Sequence, residues 1–172
     1  MLDELHNHSQ IPWTPEGELE VLTFDLRGET FALEALLVRE IIDLLPETIV
    51  PGAPTLLGSV INFRGKIIPL ADIGLAFALP ATDPSRDSRI VVIELTLENE
   101  PLFMGLKTDK VHEVTTLLQA ANEDPPPIGM RCRPEHVRSL VRRENDVIVL
   151  PDLTAIFSAF AGAGGASVHS IY

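Results

Sequence analysis

The sequence predicts a mostly β protein made of two similar small β units packed side by side. Three observations carry that reading. The chain holds 14 prolines in 172 residues, and proline inside a helix removes a hydrogen bond and clashes with the preceding turn, which argues against a helical bundle. Four stretches consist of two extended apolar runs separated by turn residues. A segment of 18 residues recurs without gaps 80 positions further on, the mark of an internal duplication.

Residues 1–18 mix Asn7, Ser9, Gln10, Pro12 and Pro15 without periodicity and are predicted to be a flexible N-terminal tail. Val21 to Leu26 alternates apolar and polar residues only approximately, Arg27-Gly28-Glu29 turns, and Thr30 to Leu33 returns, giving a first hairpin. Arg89 to Leu95 is β-branched, Glu98-Asn99-Glu100-Pro101 turns, and Leu102 to Leu106 returns as a second. A third hairpin has its turn at Arg64-Gly65, and a fourth at Asn145-Asp146 between Arg143 and the run Val147 to Leu150. Gly28, Gly65 and the Asn145-Asp146 pair are assigned to backbone geometry.

The duplication sets Val60 to Phe77 against Leu140 to Phe157. Ile68/Ile148, Leu70/Leu150, Asp72/Asp152 and Phe77/Phe157 are identical, four matches where about one is expected by chance. At an offset of 73, Val38-Arg39-Glu40-Ile41 pairs with Val111-His112-Glu113-Val114. Asp72 and Asp152 each precede apolar residues at helical spacing and are read as caps accepting backbone N–H bonds. Neither unit is thick enough to bury a core alone, so the two must pack together. The folded part is placed at 19–160, with approximate units 19–80 and 88–150, a Pro-, Asp- and Ser-rich linker from Ala81 to Ser88, a helix at 151–160 and a flexible tail at 161–172.

Lys and Arg number 13 against 25 Asp and Glu, a formal charge of −12. That balance disfavours nucleic acid and anionic membranes, whose binding relies on Lys and Arg neutralising phosphates. The longest apolar stretch, Ile67 to Pro80, is too short to span a bilayer, so no direct membrane insertion is expected. The single cysteine, Cys132, and the absence of a basic, apolar leader point to the cytosol.

No catalytic residue, metal or cofactor is assigned. Cys132 lies between Arg131 and Arg133, which would lower its thiol pKa, but lacks a matched histidine motif. His6 and His8 have no further ligands nearby to complete a metal shell. No glycine pattern forms a phosphate cradle. Pro125-Pro126-Pro127 is read as an extended connector. Arg131, Arg133, Arg138, Arg142 and Arg143 form either a patch for an acidic partner or a solvated face.

Gly58-Ser59-Val60-Ile61-Asn62-Phe63-Arg64-Gly65-Lys66-Ile67-Ile68-Pro69-Leu70-Ala71-Asp72-Ile73 resembles the hallmark segment of CheW-like domains. Phe31-Ala32-Leu33 with Val38-Arg39-Glu40-Ile41, and Asp146 to Phe157, are similar to the family's other landmarks, in the same order. The resemblance implies two SH3-like five-stranded β-barrels with partly exchanged segments, short helices and a C-terminal helix. It also implies a non-enzymatic chemotaxis scaffold coupling the cytoplasmic tip of a methyl-accepting chemoreceptor to the regulatory domain of a CheA-type histidine kinase. Such a protein is cytoplasmic and recruited to membrane receptor arrays. In the family, the residues matching Glu40 and Arg64 pair beside a receptor groove, with Val38 as apolar neighbour. The apolar turns at Ile61/Phe63 and Val141/Ile148 are read as further partner contacts. The chain has Ser59 where the family usually has glycine, and Glu123 to Pro134 departs from the usual pattern. The alternatives are a regulatory module of a pilus or biofilm pathway and a small Cys132-dependent enzyme.

Overall fold

A computed structural model of the chain describes residues 10–124 and 134–163. Among the described residues, twelve strands form two six-stranded sheets. They are β1 (Glu18–Leu26), β2 (Glu29–Glu34), β3 (Val38–Ile42), β4 (Thr48–Ile49), β5 (Ser59–Phe63), β6 (Lys66–Ala71), β7 (Arg89–Leu97), β8 (Glu100–Thr108), β9 (Lys110–Leu118), β10 (Asn122–Glu123), β11 (Val137–Arg143) and β12 (Asp146–Pro151), followed by helix α1 (Leu153–Ala163). All four predicted hairpins are present, as β1–β2, β5–β6, β7–β8 and β11–β12. Left-handed pairs make three of the turns: Arg27 (φ 49) with Gly28 (φ 82), Arg64 (φ 51) with Gly65 (φ 82), and Glu98 (φ 50) with Asn99 (φ 64). Two consecutive residues of positive φ twist a short hairpin in the hand its strands require. In the fourth turn the left-handed residue is Glu144 (φ 55), not the Asn145 that composition suggested.

The first sheet runs β10-β11-β12-β2-β1-β9 and the second β3-β7-β8-β6-β5-β4. Written from the other edge, the second is β4-β5-β6-β8-β7-β3, so the two sheets have one plan. The duplication is therefore structural, but its halves have traded hairpins. Hairpin β1–β2 completes the sheet of the second repeat, and β7–β8 completes that of the first. In each sheet the exchanged hairpin joins along both edges, by a parallel pairing of β2 with β12 (Phe31 opposite Val149) or β8 with β6 (Gly105 opposite Leu70) and by an antiparallel pairing of β1 with β9 or β7 with β3. The expected boundaries at 19–80 and 88–150 consequently do not divide the sheets. Residues 81–88 connect two segments of the same half of the molecule, because β6 and β7 both belong to the second sheet. Each sheet has five strands of five residues or more, plus one two-residue strand at the edge, β4 or β10.

The exchanged hairpins are buried on both faces. Ile90 and Val92 of β7 point into the core of the second sheet with Ile61, Ile68 and Leu70. Val91, Ile93 and Leu95 of the same strand point the other way, into a larger core shared by both sheets. Likewise Leu19 and Val21 of β1 face the core of the first sheet, with Ala32, Val141 and Ile148, while Leu22, Phe24 and Leu26 face the shared core. Alternation fails in Val21-Leu22-Thr23-Phe24 because neither face of that strand meets water. Close packing between the layers also fixes Gly105, where an added Cβ would lie 2.8 Å from Ile90 Cγ2.

Asp72 caps the short 3-10 helix Ile73–Phe77 by accepting from the Gly74 N–H, and Asp152 accepts from the Ala155 N–H in the first turn of α1, as predicted. Residues 10–17 are not all tail: Ile11 and Trp13 pack against the core of the first sheet. Residues 1–9, 125–133 and 164–172 lie outside the described residues, and with them His6, His8, Pro125 to Pro127, Arg131, Cys132 and Arg133. The three described arginines of the supposed basic cluster are each neutralised, Arg138 by Glu34, Arg142 by Glu123 and Arg143 by Glu113. No helix among the described residues is long and apolar enough to cross a membrane.

One residue bolts the sheets together at their margin. Arg27, at the tip of β1–β2, has a side chain only 6% exposed. It donates from Nη1 and Nη2 to the two Asp72 carboxylate oxygens at 3.0 and 2.7 Å, and from Nε to the Pro80 carbonyl at 2.6 Å. Its backbone N–H donates to Asp109 Oδ2 at 2.5 Å. The hydrogen bond to Asp72 holds the guanidinium pKa above its ordinary value, with the charges of Asp72 and Asp109 adding to it against the cost of burial. Truncating one partner of such a pair strands the other. Arg27→Ala is expected to lower the unfolding free energy by about 3 kcal/mol in urea denaturation, with Arg27→Lys recovering only part because lysine lacks the planar fork.

Candidate functional site

The chain crosses from the first sheet to the second through the 3-10 turn Ala35–Leu37, and Val38 is the first residue of β3 beyond it. Val38 is half-buried and packs against the shared core. A bulge between Val38 and Glu40 interrupts the pairing of β3 with β7, which turns successive side chains away from strict alternation. Arg39 leaves on the exposed side, where Nη2 and Nε reach Glu94 Oε2 at 2.6 and 3.0 Å and Nη1 reaches the Leu36 carbonyl at 2.9 Å.

Glu40 meets the tip of β5–β6. A single nitrogen, Arg64 Nη2, serves both carboxylate oxygens, at 2.9 Å to Oε1 and 2.7 Å to Oε2. The turn is held by Asn62, whose Oδ1 accepts from the Gly65 N–H at 2.9 Å. The guanidinium carbon lies 5.2 Å from the centroid of the Phe63 ring, within cation–π reach. Arg64 is 72% exposed and Glu40 32%. The residues of the string Asn-x-Arg-Gly thus have separable jobs: Asn62 and Gly65 build the turn, and Arg64 is presented by it. Ser59, standing where glycine was expected, sits in regular extended pairing opposite Leu70, so its position does not require positive φ.

The pair lies wholly within the second sheet. Of the seven site residues expected from sequence, Val38, Glu40, Phe63 and Arg64 are exposed or half-buried on the surface. Ile61, Val141 and Ile148 are not: they are 1%, 1% and 2% exposed, inside the cores of their own sheets, and cannot touch a docked partner. Register explains the correction. Ile61 is paired with Ile68 and Val141 with Ile148 on the inward face, and the next pairs, Asn62 with Ile67 and Arg142 with Val147, point outward. Ile67 is 54% exposed and Val147 43%. These two are the apolar contact candidates that reading without register missed.

Among the described residues, no cluster of three or more His, Cys, Asp and Glu side chains is arranged to hold a metal ion. What the surface offers is a charged pair fixed beside apolar side chains on a rigid hairpin, an arrangement suited to protein recognition.

Residues 20–161 match the family model described as CheW-like domain. A protein named probable chemotaxis protein CheW of Rhizobium etli is 26% identical over 143 residues, covering 83% of this chain and 90% of that protein. The chemotaxis protein CheW of Treponema pallidum is 25% identical over 156 residues, covering 89% and 91%. The crystal structure of the scaffolding protein TtCheW from Thermoanaerobacter tengcongensis superimposes with a TM-score of 0.70 at 29% identity, covering 81% of this chain and 92% of that one.

Exposed ion pairs contribute little to folding, so Glu40→Ala and Arg64→Ala are each expected to change stability by less than about 1 kcal/mol. By contrast Ile61→Ala should cost about 2 to 5 kcal/mol and Ile67→Ala under about 0.5 kcal/mol, a contrast that denaturant titration reads directly.

Proposed function

The chain belongs to the CheW-like domain family, and from that membership we propose that it is a non-enzymatic chemotaxis adaptor, coupling chemoreceptor tips to the regulatory domain of a CheA-type histidine kinase. In this reading it works in the cytoplasm and is recruited to membrane receptor arrays. The observation that carries the reading is the Glu40–Arg64 pair presented beside Val38 on the second sheet. These are the family's receptor-binding positions, and the chemistry fits: a guanidinium fixed in direction by one carboxylate keeps free donors for a helical partner while Val38 supplies apolar area. Because Arg64 is mostly exposed, its energy is available to a partner instead of to the fold.

The kinase side would use apolar hairpin residues that reach solvent. Phe63, Ile67 and Val147 satisfy that requirement. The two barrel-like halves, locked through a common core, would hold receptor and kinase contacts at fixed separation, which is the mechanical task of an adaptor.

Arg64→Glu should weaken binding to a soluble receptor-tip fragment by about tenfold or more, since a like charge set against a partner's complementary surface costs several kcal/mol. The circular-dichroism melt should barely move. Combining Glu40→Arg with Arg64→Glu should recover part of the loss in isothermal titration, as a coupled pair requires. A large drop in melting temperature with unchanged binding would assign the pair to folding instead.

A further inference from the structure

At the end of the second sheet away from the Arg64 turn, separate stretches of chain enclose an open recess of about 380 Å³. Its floor is Ile90 of β7 and Thr108 of β8, with Ser88 just before β7, all more than nine-tenths buried. One wall is the loop between β3 and β4, which brings Leu44, Leu45 and Pro46. The other is the segment between β6 and β7, which brings Thr82, Asp83 and Pro84. A proline in each wall fixes its own φ, so both walls are stiffened before anything binds. Leu44 is 39% exposed and belongs to none of the three cores.

The charges around the recess do not balance. Arg27 is matched by Asp72, and Lys107 by Glu47 at 2.9 Å. Two carboxylates of the lining remain: among the described residues neither Asp83 nor Asp109 has an ion-pair partner. Asp109 accepts at Oδ2 from the Arg27 backbone N–H at 2.5 Å, and at Oδ1 from the Thr82 hydroxyl only at 3.4 Å. A carboxylate has about four acceptor sites, so much of its capacity is unused. The recess therefore joins apolar surface to net negative charge, within the range of about 300 to 1,000 Å³ common to small-ligand sites.

We propose that this recess binds a small organic cation of the amidinium or guanidinium class with a compact apolar body. The planar head sets two N–H groups against two carboxylate oxygens and gives up its water more readily than an ammonium does. Its body lies against Leu44, Leu45 and Pro84, covering apolar surface that is otherwise wet. The same carboxylates repel an anion of equal shape. None of Val38, Glu40, Phe63, Arg64, Ile67 and Val147 lines the recess, so its occupancy and the binding of a receptor or kinase are independent properties.

Titration of the isotope-labelled full chain, followed through its amide chemical shifts by NMR, tests this with probes of one shape: benzamidine, a cation; benzamide, neutral; and benzoate, an anion. Benzamidine should shift the amides of Leu44, Asp83, Thr108 and Asp109 saturably, with a dissociation constant of about 1 mM, as expected of so small a ligand. Benzamide should bind about tenfold more weakly, and benzoate should move none of these amides, because a hydrogen bond between charged groups is stronger than a neutral one. Asp83→Asn combined with Asp109→Asn should bring benzamidine down to the affinity of benzamide, whereas Glu144→Gln, at the turn of β11–β12 in the other sheet, should leave it unchanged. Asp83 is exposed, so Asp83→Asn alone keeps the fold intact and should still weaken benzamidine about threefold. Benzamidine that binds no tighter than benzamide, shifts that grow without saturation over the acidic surface at large, or an affinity indifferent to both aspartates would overturn the proposal.

Discussion

The exchange of two hairpins, each buried on both faces, is the constraint on which the rest of the molecule depends. A sheet of this size with one wet face would enclose only a small core. By lending β1–β2 to one sheet and β7–β8 to the other, the chain turns two thin layers into three apolar compartments, of which the central one belongs to both halves. Phe24, Phe31, Val91, Ile93, Met104 and Leu106 are all fully or almost fully buried there. Independent motion of the halves would require opening this core, which buries large side chains worth about 1.5 to 3 kcal/mol each. Rigidity at the scale of the whole molecule is thus a by-product of topology, with Arg27 reinforcing one margin.

On this platform the charged pair at the β5–β6 tip is free of structural duty. Its guanidinium is oriented by Glu40 and supported by the Phe63 ring, but remains mostly in water. The turn beneath it is fixed by Asn62 and Gly65, and the residue it displays must itself accept a left-handed backbone, as Arg64 does at φ 51. Division of labour of this kind lets one hairpin be stable in one set of atoms and selective in another.

Much of this was legible in the sequence. Hairpins could be located because extended runs and two-residue turns are local, and the capping aspartates because an N-cap is satisfied within three residues. The pairing of strands was not legible in the same way, since a strand's partner is chosen by long-range fit. Even so, the failed alternation in Val21 to Phe24 and the unbroken run Ile90 to Ile93 were signs of strands without a wet face. Val38, Glu40 and Arg64 were found through a family string and not by chemistry, because nothing in the spacing of residues 40 and 64 says that they meet. Ile61, Val141 and Ile148 were misplaced for a simpler reason: apolar residues near a turn were counted without carrying the register back from it. Counting outward from Arg64-Gly65 puts Ile67, and not Ile61, on the outer face.

Hairpin exchange also has a consequence for how the chain is made. The first hairpin leaves the ribosome long before its neighbours, because Glu18 of β1 lies opposite Leu118 of β9 and Phe31 of β2 opposite Val149 of β12. Until those late strands emerge, β1–β2 has two unpaired edges and two apolar faces exposed, and pairings of such sequence separation form slowly. The nascent chain must therefore carry an unfinished, adhesive hairpin through most of its synthesis, and neither half can mature in isolation from the other.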